Sequence, residues 1–370
     1  MINQKLIIAA SGGGPVPPPV ELSLWVWGYN FVGNLALGDF IPRKSPVQIG
    51  SLTDWDEIVI TNTLAATLKT DGTLWTWGDN QFGDLGLGDI NQRISPVQVG
   101  SLTDWSKTSV GYHHTITTKT DGTLWTWGYN QYYGELGLGD TSNRSSPVQV
   151  GSLTNWDKVS AGFYHSKAIK TDGTLWTWGR NDYGQLGLGD IVHRSSPTQV
   201  GSLTNWDKID GSYSSAAIKT DGTLWTWGRN TYGQLGLGDI VHRSSPVQVG
   251  SLTNWYSVIC GNYYGMAIKT DGTLWTWGRN DYGQLGLGNT SNKSSPVQVG
   301  SLTNWNKISG SYSSAAIKTD GTLWTWGKND HYQLGLEDIT HRSSPVQVES
   351  LTDWDKVTVS GYFMLATQIV

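Results

Sequence analysis

The sequence predicts an all-β chain: a seven-bladed β-propeller of four-stranded antiparallel blades, closed by pairing of its N- and C-terminal strands. Three observations lead there. The motif Trp-x-Trp-Gly recurs seven times, with its second tryptophan at Trp27, Trp77, Trp127, Trp178, Trp227, Trp277 and Trp326, at spacings of 50, 50, 51, 49, 50 and 49 residues. A third tryptophan follows each pair inside Ser-Leu-Thr-(Asp/Asn)-Trp, at Trp55, Trp105, Trp156, Trp206, Trp255, Trp305 and Trp354, so the three sets account for all 21 tryptophans. Hydrophobic residues make up 37% and charged residues 15%, with 47 glycines, a balance suited to short strands joined by sharp turns. Repeats of this size stack into one continuous body, so the 370 residues count as one closed domain rather than two or three.

Residues 203–250 serve as the type unit. Residues 208–211 and 216–220 are short and rich in small or β-branched side chains, and read as two strands. Asp221-Gly222 is the pair favoured in a two-residue type I′ hairpin. In the next strand, 223–227, Trp225 and Trp227 share one face while Leu224 and Thr226 take the other, so both faces should be buried against neighbouring sheets. The last strand, 246–249, opens with a proline that cannot donate to a ladder and therefore belongs at the outer edge.

The two chain ends favour a ring over a linear solenoid. The first Trp-x-Trp pair lacks the preceding Asp-Gly hairpin, and the missing half-unit stands at the other terminus in residues 357–361 and 365–370. These can pair with residues 23–28, placing residue 370 beside residue 21, whereas an open solenoid would need polar end caps. The expected organisation is a tail and Gly/Pro-rich spacer over 1–20, then a propeller over 21–370 whose closing blade joins 21–50 to 351–370.

Composition excludes several function classes. A net charge of −5 and a pI near 5.8 give no basic field for collecting phosphates, so nucleic acid is not an expected partner. No run approaches the ~20 apolar residues that cross a bilayer, and the apolar run 6–10 is shorter than a secretory h-region, so neither membrane insertion nor a signal peptide is read. Residues 11–20 (SGGGPVPPPV) have the composition of a spacer, and residues 4–10, being β-prone, are expected to add as a strand to an assembly partner. The single cysteine, Cys260, cannot close an internal disulfide and reads as a buried, inert thiol.

The pattern Gly-Thr-Leu-Trp-Thr-Trp-Gly-x-Asn-x-Tyr-Gly-Gln-Leu-Gly-Leu-Gly-Asp, followed by Ser-Ser-Pro-Val-Gln-Val, stands at 222–249 and, with Thr198 for the first valine, at 173–200. It resembles the regulator of chromosome condensation repeat, and the resemblance covers residues 21–370. That family's seven-bladed propeller agrees with the ring expected above. The resemblance does not imply nucleotide exchange, because that activity uses an inserted wedge and these repeats differ by at most two residues. Nor does it imply light sensing: the stretches 111–115, 162–166 and 211–215 lack the photoreceptors' Gly-Trp-Arg-His-Thr motif. A third group grips other proteins through its face loops. The near-identical copies also resemble repeat proteins of bacteria and bacteriophages, which makes a virion surface the expected setting.

The tryptophans are expected to form the scaffold. Recognition should fall to what varies between copies. One variable segment follows the first strand and carries Tyr112, His113, His114, Phe163, Tyr164, His165, Tyr213, Tyr263, Tyr264, Tyr312, Tyr362 and Phe363. The other follows Trp-Gly and carries Tyr29, Phe31, Phe82, Tyr129, Tyr132, Tyr133, Arg180, Tyr183, Arg229, Tyr232, Arg279, Tyr282, Lys328 and Tyr332. Equivalent loops of a propeller gather on one face, giving a ring of the residue types enriched in recognition hot spots. The competing reading is that many of these tyrosines only fill space between blades. His193, His242 and His341 occupy equivalent places in different blades and cannot share a metal, while Asp190, Asp239 and Asp338 are expected to cap turns or pair with Arg194, Arg243 and Arg342. Asp54-Trp55-Asp56-Glu57 lacks the spacing of a calcium loop and reads as solvated turn charge. No catalytic motif, metal site or cofactor-binding loop is found. The expected function is non-enzymatic recognition of a protein or glycan through one loop face, held by the N-terminal tail. The alternative is an intracellular regulatory propeller binding a signalling protein.

Overall fold

The computed structural model describes residues 20–370, and the expected anchoring strand and most of the spacer lie outside the described residues. Among the described residues, twenty-eight strands form seven four-stranded antiparallel sheets around one axis. The blades are numbered 1 to 6 from Trp55 onward, and the closing blade joins the two chain ends. In blade 4 the strands are Trp206–Gly211, Ser214–Lys219, Leu224–Gly228 and Arg243–Gln248, adjacent in that order. The first strands of all seven blades line an axial cavity of about 210 Å³, with Val59, Val110, Ala161, Asp210, Cys260 and Thr358 on its wall. The outermost strand carries Pro246 where no ladder donor is required, as expected.

Each strand's residues suit its place. In blades 1 to 6 the second strand is buried at every position, and in blade 4 it is Ser-Ser-Ala-Ala-Ile-Lys, small enough to sit between neighbouring sheets. In the third strand Leu224, Thr226 and Trp227 are buried and Trp225 is half-buried, so both faces are covered. Trp227 is fully buried and its Nε1 donates to the Gln185 carbonyl of blade 3 at 2.9 Å. The same bond recurs at every junction, from Trp77 to Asn34 at 2.9 Å round to Trp27 and Gln333 at 2.9 Å. Burying an indole of this size is worth roughly 4–6 kcal/mol by area, an upper value, and the bond prevents its N–H from being stranded. Trp206 lies edge-on to Trp225 and tilted by 58° to Trp227, at 6.1 and 6.2 Å between ring centroids. Lys219 ends the second strand with its ammonium 3.8 Å from the Trp225 ring and 4.8 Å from Trp206, which is how a nearly buried lysine is satisfied.

The expected type I′ hairpin is corrected. Gly222 has φ +76° but Asp221 does not have positive φ, and the bonds run from Gly222 N to Lys219 O (2.9 Å) and from Lys219 N to Thr223 O (3.0 Å). This is the longer turn with a glycine bulge. Two features select it. Asp221 Oδ1 accepts from Thr223 N (2.9 Å) and Oγ1 (2.6 Å), and Thr223 Oγ1 in turn accepts Trp225 Nε1 at 2.9 Å. A Cβ on Gly222 would stand 2.1 Å from the Thr253 carbonyl of the linker to blade 5, so the next blade docks directly on the turn. The outer strand begins at Arg43 in the closing blade and at Arg243 in blade 4, earlier than expected, because a bulge sets Arg243 opposite Gly228.

Ring closure is as expected. In the closing blade the order is Arg43–Gln48, Leu22–Gly28, Phe363–Ile369, Trp354–Val359, with Leu22 opposite Ile369 and Gly28 opposite Phe363. No helix of the described residues is long and apolar enough to cross a membrane.

Candidate recognition face

The loops joining first to second strands and those joining third to fourth leave each sheet at the same end, because alternate strands run antiparallel. Backbone bonds tie the two sets together: Tyr129 N to His113 O (2.7 Å), Arg180 N to Tyr164 O (2.9 Å) and Arg279 N to Tyr263 O (2.9 Å). Both variable segments therefore meet on one face.

Near the axis the rings of Tyr112, Phe163, Tyr213 and Tyr263 form an unbroken stack through four blades. Successive centroids are 4.4, 4.3 and 4.5 Å apart, with interplanar angles of 14°, 22° and 7°. Burial pushes the Tyr213 hydroxyl far up, reinforced by its bond to Tyr263. Outside this stack lies an arc of four cations, one at the residue after Trp-Gly in blades 3 to 6: Arg180, Arg229, Arg279 and Lys328. Each lies over tyrosine rings. Arg180 is 5.2 Å from Tyr133 and 5.5 Å from Tyr164, Arg279 is 5.2 Å from Tyr232, and Lys328 is 5.3 Å from Tyr312 and 5.8 Å from Tyr362.

The remaining three blades place no cation at that position; it holds Tyr29, Asp79 and Tyr129. Their half of the face is aromatic. Phe82 contacts His113 at 5.0 Å and Tyr129 at 4.9 Å, and Tyr29 contacts Phe31 at 4.1 Å. Tyr132, the extra residue behind the single 51-residue spacing, is 66% exposed.

Beneath this aromatic half the structure reveals two groups that sequence reasoning missed. Asp84 and Glu135 are fully buried, and none of their carboxylate oxygens has a hydrogen-bond partner; the imidazole of His113 approaches Asp84, Nδ1 to Oδ2 at 3.7 Å. Burial raises the Asp84 carboxyl and takes that of Glu135 up to about 7. Blades 3 to 6 hold glutamine at this place, where Oε1 accepts an amide, as Gln185 does from Tyr183 N at 2.9 Å. The signal was visible as Gln-Leu-Gly changing to Asp-Leu-Gly and Glu-Leu-Gly.

Several expected face residues lie elsewhere. His165 is 1% exposed and sits between blades, with Nε2 3.1 Å from Ser215 Oγ and 3.1 Å from the Lys167 ammonium. His114, Tyr264 and Phe363 open their second strands in the same way and are buried, because that position points between sheets. Lys167 itself is fully buried, and burial brings its ammonium down to about 8. Tyr332 takes the place of a turn glycine at φ +61°, and its ring meets Lys44 of the outer strand at 5.4 Å, on the rim rather than the face. His331 fills the inner position instead, 5.0 Å from Tyr29 and 5.4 Å from Tyr362.

The other polar groups are structural. Asp190, Asp239 and Asp338 pair with Arg194, Arg243 and Arg342 at 2.6, 2.5 and 2.5 Å, as expected. His193, His242 and His341 accept the amides of Asn181, Asn230 and Asn329 at 2.9, 2.9 and 3.0 Å. Glu57 is corrected: it is not a fully solvated turn charge but half-buried at a blade junction, where it accepts Thr108 N at 3.0 Å and desolvation raises its carboxyl. Cys260 is only half-buried, because it borders the axial cavity, and its thiol is pushed up to about 12 by burial and by Asp210, whose Oδ2 accepts the Cys260 amide at 2.6 Å. Among the described residues no group of three or more His, Cys, Asp or Glu side chains could hold a metal ion.

Comparison with known proteins gives a family and a fold. The model of the regulator of chromosome condensation (RCC1) repeat matches residues 71–117, 121–169, 172–217, 221–268, 271–317 and 320–367. No curated protein sequence matches the chain. Among solved structures, human WBSCR16 superposes with a TM-score of 0.83 at 20% identity, over 94% of this chain and 99% of that one. Prp20p from Saccharomyces cerevisiae, described with its binding to Gsp1p and histones, gives 0.83 at 18% identity over 95% and 92%. Yeast RCC1 (Prp20) in the structure with Kap60 gives 0.82 at 17% identity over 100% and 96%. At these identities the likeness is one of fold.

Proposed function

The chain belongs to the RCC1 repeat family, and on that footing we propose that it is a non-enzymatic recognition propeller that grips a protein partner through the face bearing the aromatic stack and the cationic arc. The observation that carries this reading is that most of the residues varying between otherwise near-identical copies converge on that face, as a four-ring aromatic stack bordered by arginines that lie over further tyrosines, the composition of binding hot spots. Protein binding described for Prp20p agrees with such a use of the fold.

The same reading has residues 1–10 anchoring the ring to an assembly, with a virion surface as its setting. In its support, the chain enters the ring at residue 21, at the Leu22 end of a strand whose Gly28 end reaches the loop face. A tether there leaves the loop face free.

Cross-linking from a photoreactive residue at position 132, compared with one at Leu153 in the linker of the opposite face (48% exposed), tests the face. Protein adducts should form from 132 and not from 153; adducts from 153 alone would overturn the assignment, and retention on immobilised glycans without protein adducts would replace protein by glycan. Deleting residues 1–19 should leave the ring folded and prevent its incorporation into particles. Normal incorporation would remove the anchor.

A further inference from the structure

The four cations of the arc are not equivalent. Arg180 Nε meets Asp182 Oδ2 at 2.5 Å, Arg279 Nε meets Asp281 Oδ2 at 2.6 Å, and Lys328 Nζ meets Asp330 Oδ2 at 3.0 Å. Each is clamped by the aspartate two residues on. In blade 4 that residue is Thr231, and Arg229 has only its hydroxyl, 3.1 Å from Nε, and the Tyr263 hydroxyl, 3.5 Å from Nη1. Among the described residues Arg229 alone of the four forms no ion pair. It is nevertheless held in place, half-buried, with its guanidinium 4.7 Å from the Tyr183 ring and 5.0 Å from the Tyr263 ring. A guanidinium fixed on aromatic faces, without a counter-charge, presents its remaining N–H groups in the fork geometry that suits a carboxylate.

We propose that Arg229 is the anchor of the recognition face and takes a glutamate or aspartate side chain from an acidic segment of the protein partner. This rests on the recognition reading above and names the partner's chemistry. A chain segment fits better than a free inorganic anion, because the neighbouring rings of Phe163, Tyr213 and Tyr263 give a stacked apolar floor that only a larger ligand uses. Charge complementarity is local: the protein as a whole carries −5, yet blades 3 to 6 turn four cations toward this face, one of them unneutralised. The other three blades offer none, so the segment lies across blades 3 to 6.

The near-identity of the repeats supplies the test. Thr231→Asp gives blade 4 the clamp that blades 3, 5 and 6 already carry, so the fold tolerates it while Arg229 stays in place. Asp182→Thr makes the reverse change in blade 3, copying blade 4. Binding of a fluorescent hexaglutamate peptide to the full chain is measured by anisotropy at low salt, with hexalysine as control and melting midpoints recorded for each variant. T231D should weaken hexaglutamate binding about tenfold at an unchanged midpoint, D182T should strengthen it several-fold, and the wild-type affinity should fall as salt rises. Equal binding by wild type and T231D, or no preference for hexaglutamate over hexalysine, would overturn the anchor. If cross-linking from position 132 still captures a protein in that case, the recognition reading survives without it; if that also fails, both fall.

Discussion

The amide of Val370 donates to the carbonyl of Glu21 at 3.1 Å, so the last residue of the chain is bonded to the residue just before the first strand. This bond ends a seven-pair ladder in which Leu24 faces Thr367 and Val26 faces Leu365. The ring is thus closed by strand pairing between its termini, and every blade has two neighbours.

Truncation after Gly361 should open it. The deletion removes Phe363, Met364 and Leu365, all fully buried, and leaves Leu22–Gly28 with an unpaired edge. Losing three such side chains costs about 6–12 kcal/mol, which should lower the melting midpoint by on the order of 10 °C or more and promote association through the bare edge. Thermal denaturation followed by circular dichroism, with light scattering, checks this; an unchanged midpoint would refute closure as a source of stability.

Replacing Trp227 separates burial from hydrogen bonding. Trp227→Ala should cost about 3–5 kcal/mol from the cavity and lost transfer energy. Trp227→Phe should cost less, because Ser215 Oγ still donates to the Gln185 carbonyl at 2.9 Å after the indole N–H is gone. Denaturant unfolding of both variants gives the comparison, and equal losses would show that the inter-blade bond dominates.

Glu135 makes stability depend on pH. Its folded carboxyl is up at about 7 against an ordinary 4.5, so the folded chain keeps a proton that the unfolded chain releases between these values. Stability should therefore fall as pH rises from 4.5 to 7 and level off above. Glu135→Gln copies blades 3 to 6, should stabilise the ring by on the order of 1–3 kcal/mol at pH 8, and should change it little below pH 4.5. Denaturant midpoints at pH 4 and pH 8 check the sign; stabilisation only at acid pH would contradict it.

Much of this was legible in the residues because the repeat states it seven times. Trp27 and its six equivalents had to be core, and the incomplete first unit had to be finished by the last strand. The turn was misread because Asp-Gly fits two hairpin types, and the choice depends on the next blade docking on Gly222, a contact far away in sequence. Tyr332 was misplaced because blade 6 substitutes a residue at the turn glycine, so that neighbouring aromatics exchange roles. His165 looked like a loop residue beside Tyr164, yet one residue of advance carries a side chain from the face into the sheet.

The amino-acid sequence by itself determined the number of blades, the residues that fill the space between them and the pairing of the two ends. These follow from the period and from alternation along strands, which need only local geometry and the burial of apolar surface. Tertiary structure alone decided which loop side chains meet, that the carboxylate oxygens of Asp84 and Glu135 lie buried without hydrogen bonds, and that Arg229 has no ion pair while Arg180, Arg279 and Lys328 are clamped. Loops have no period to fix where a side chain points, and a charge is neutralised or exposed by groups brought beside it only when the ring closes.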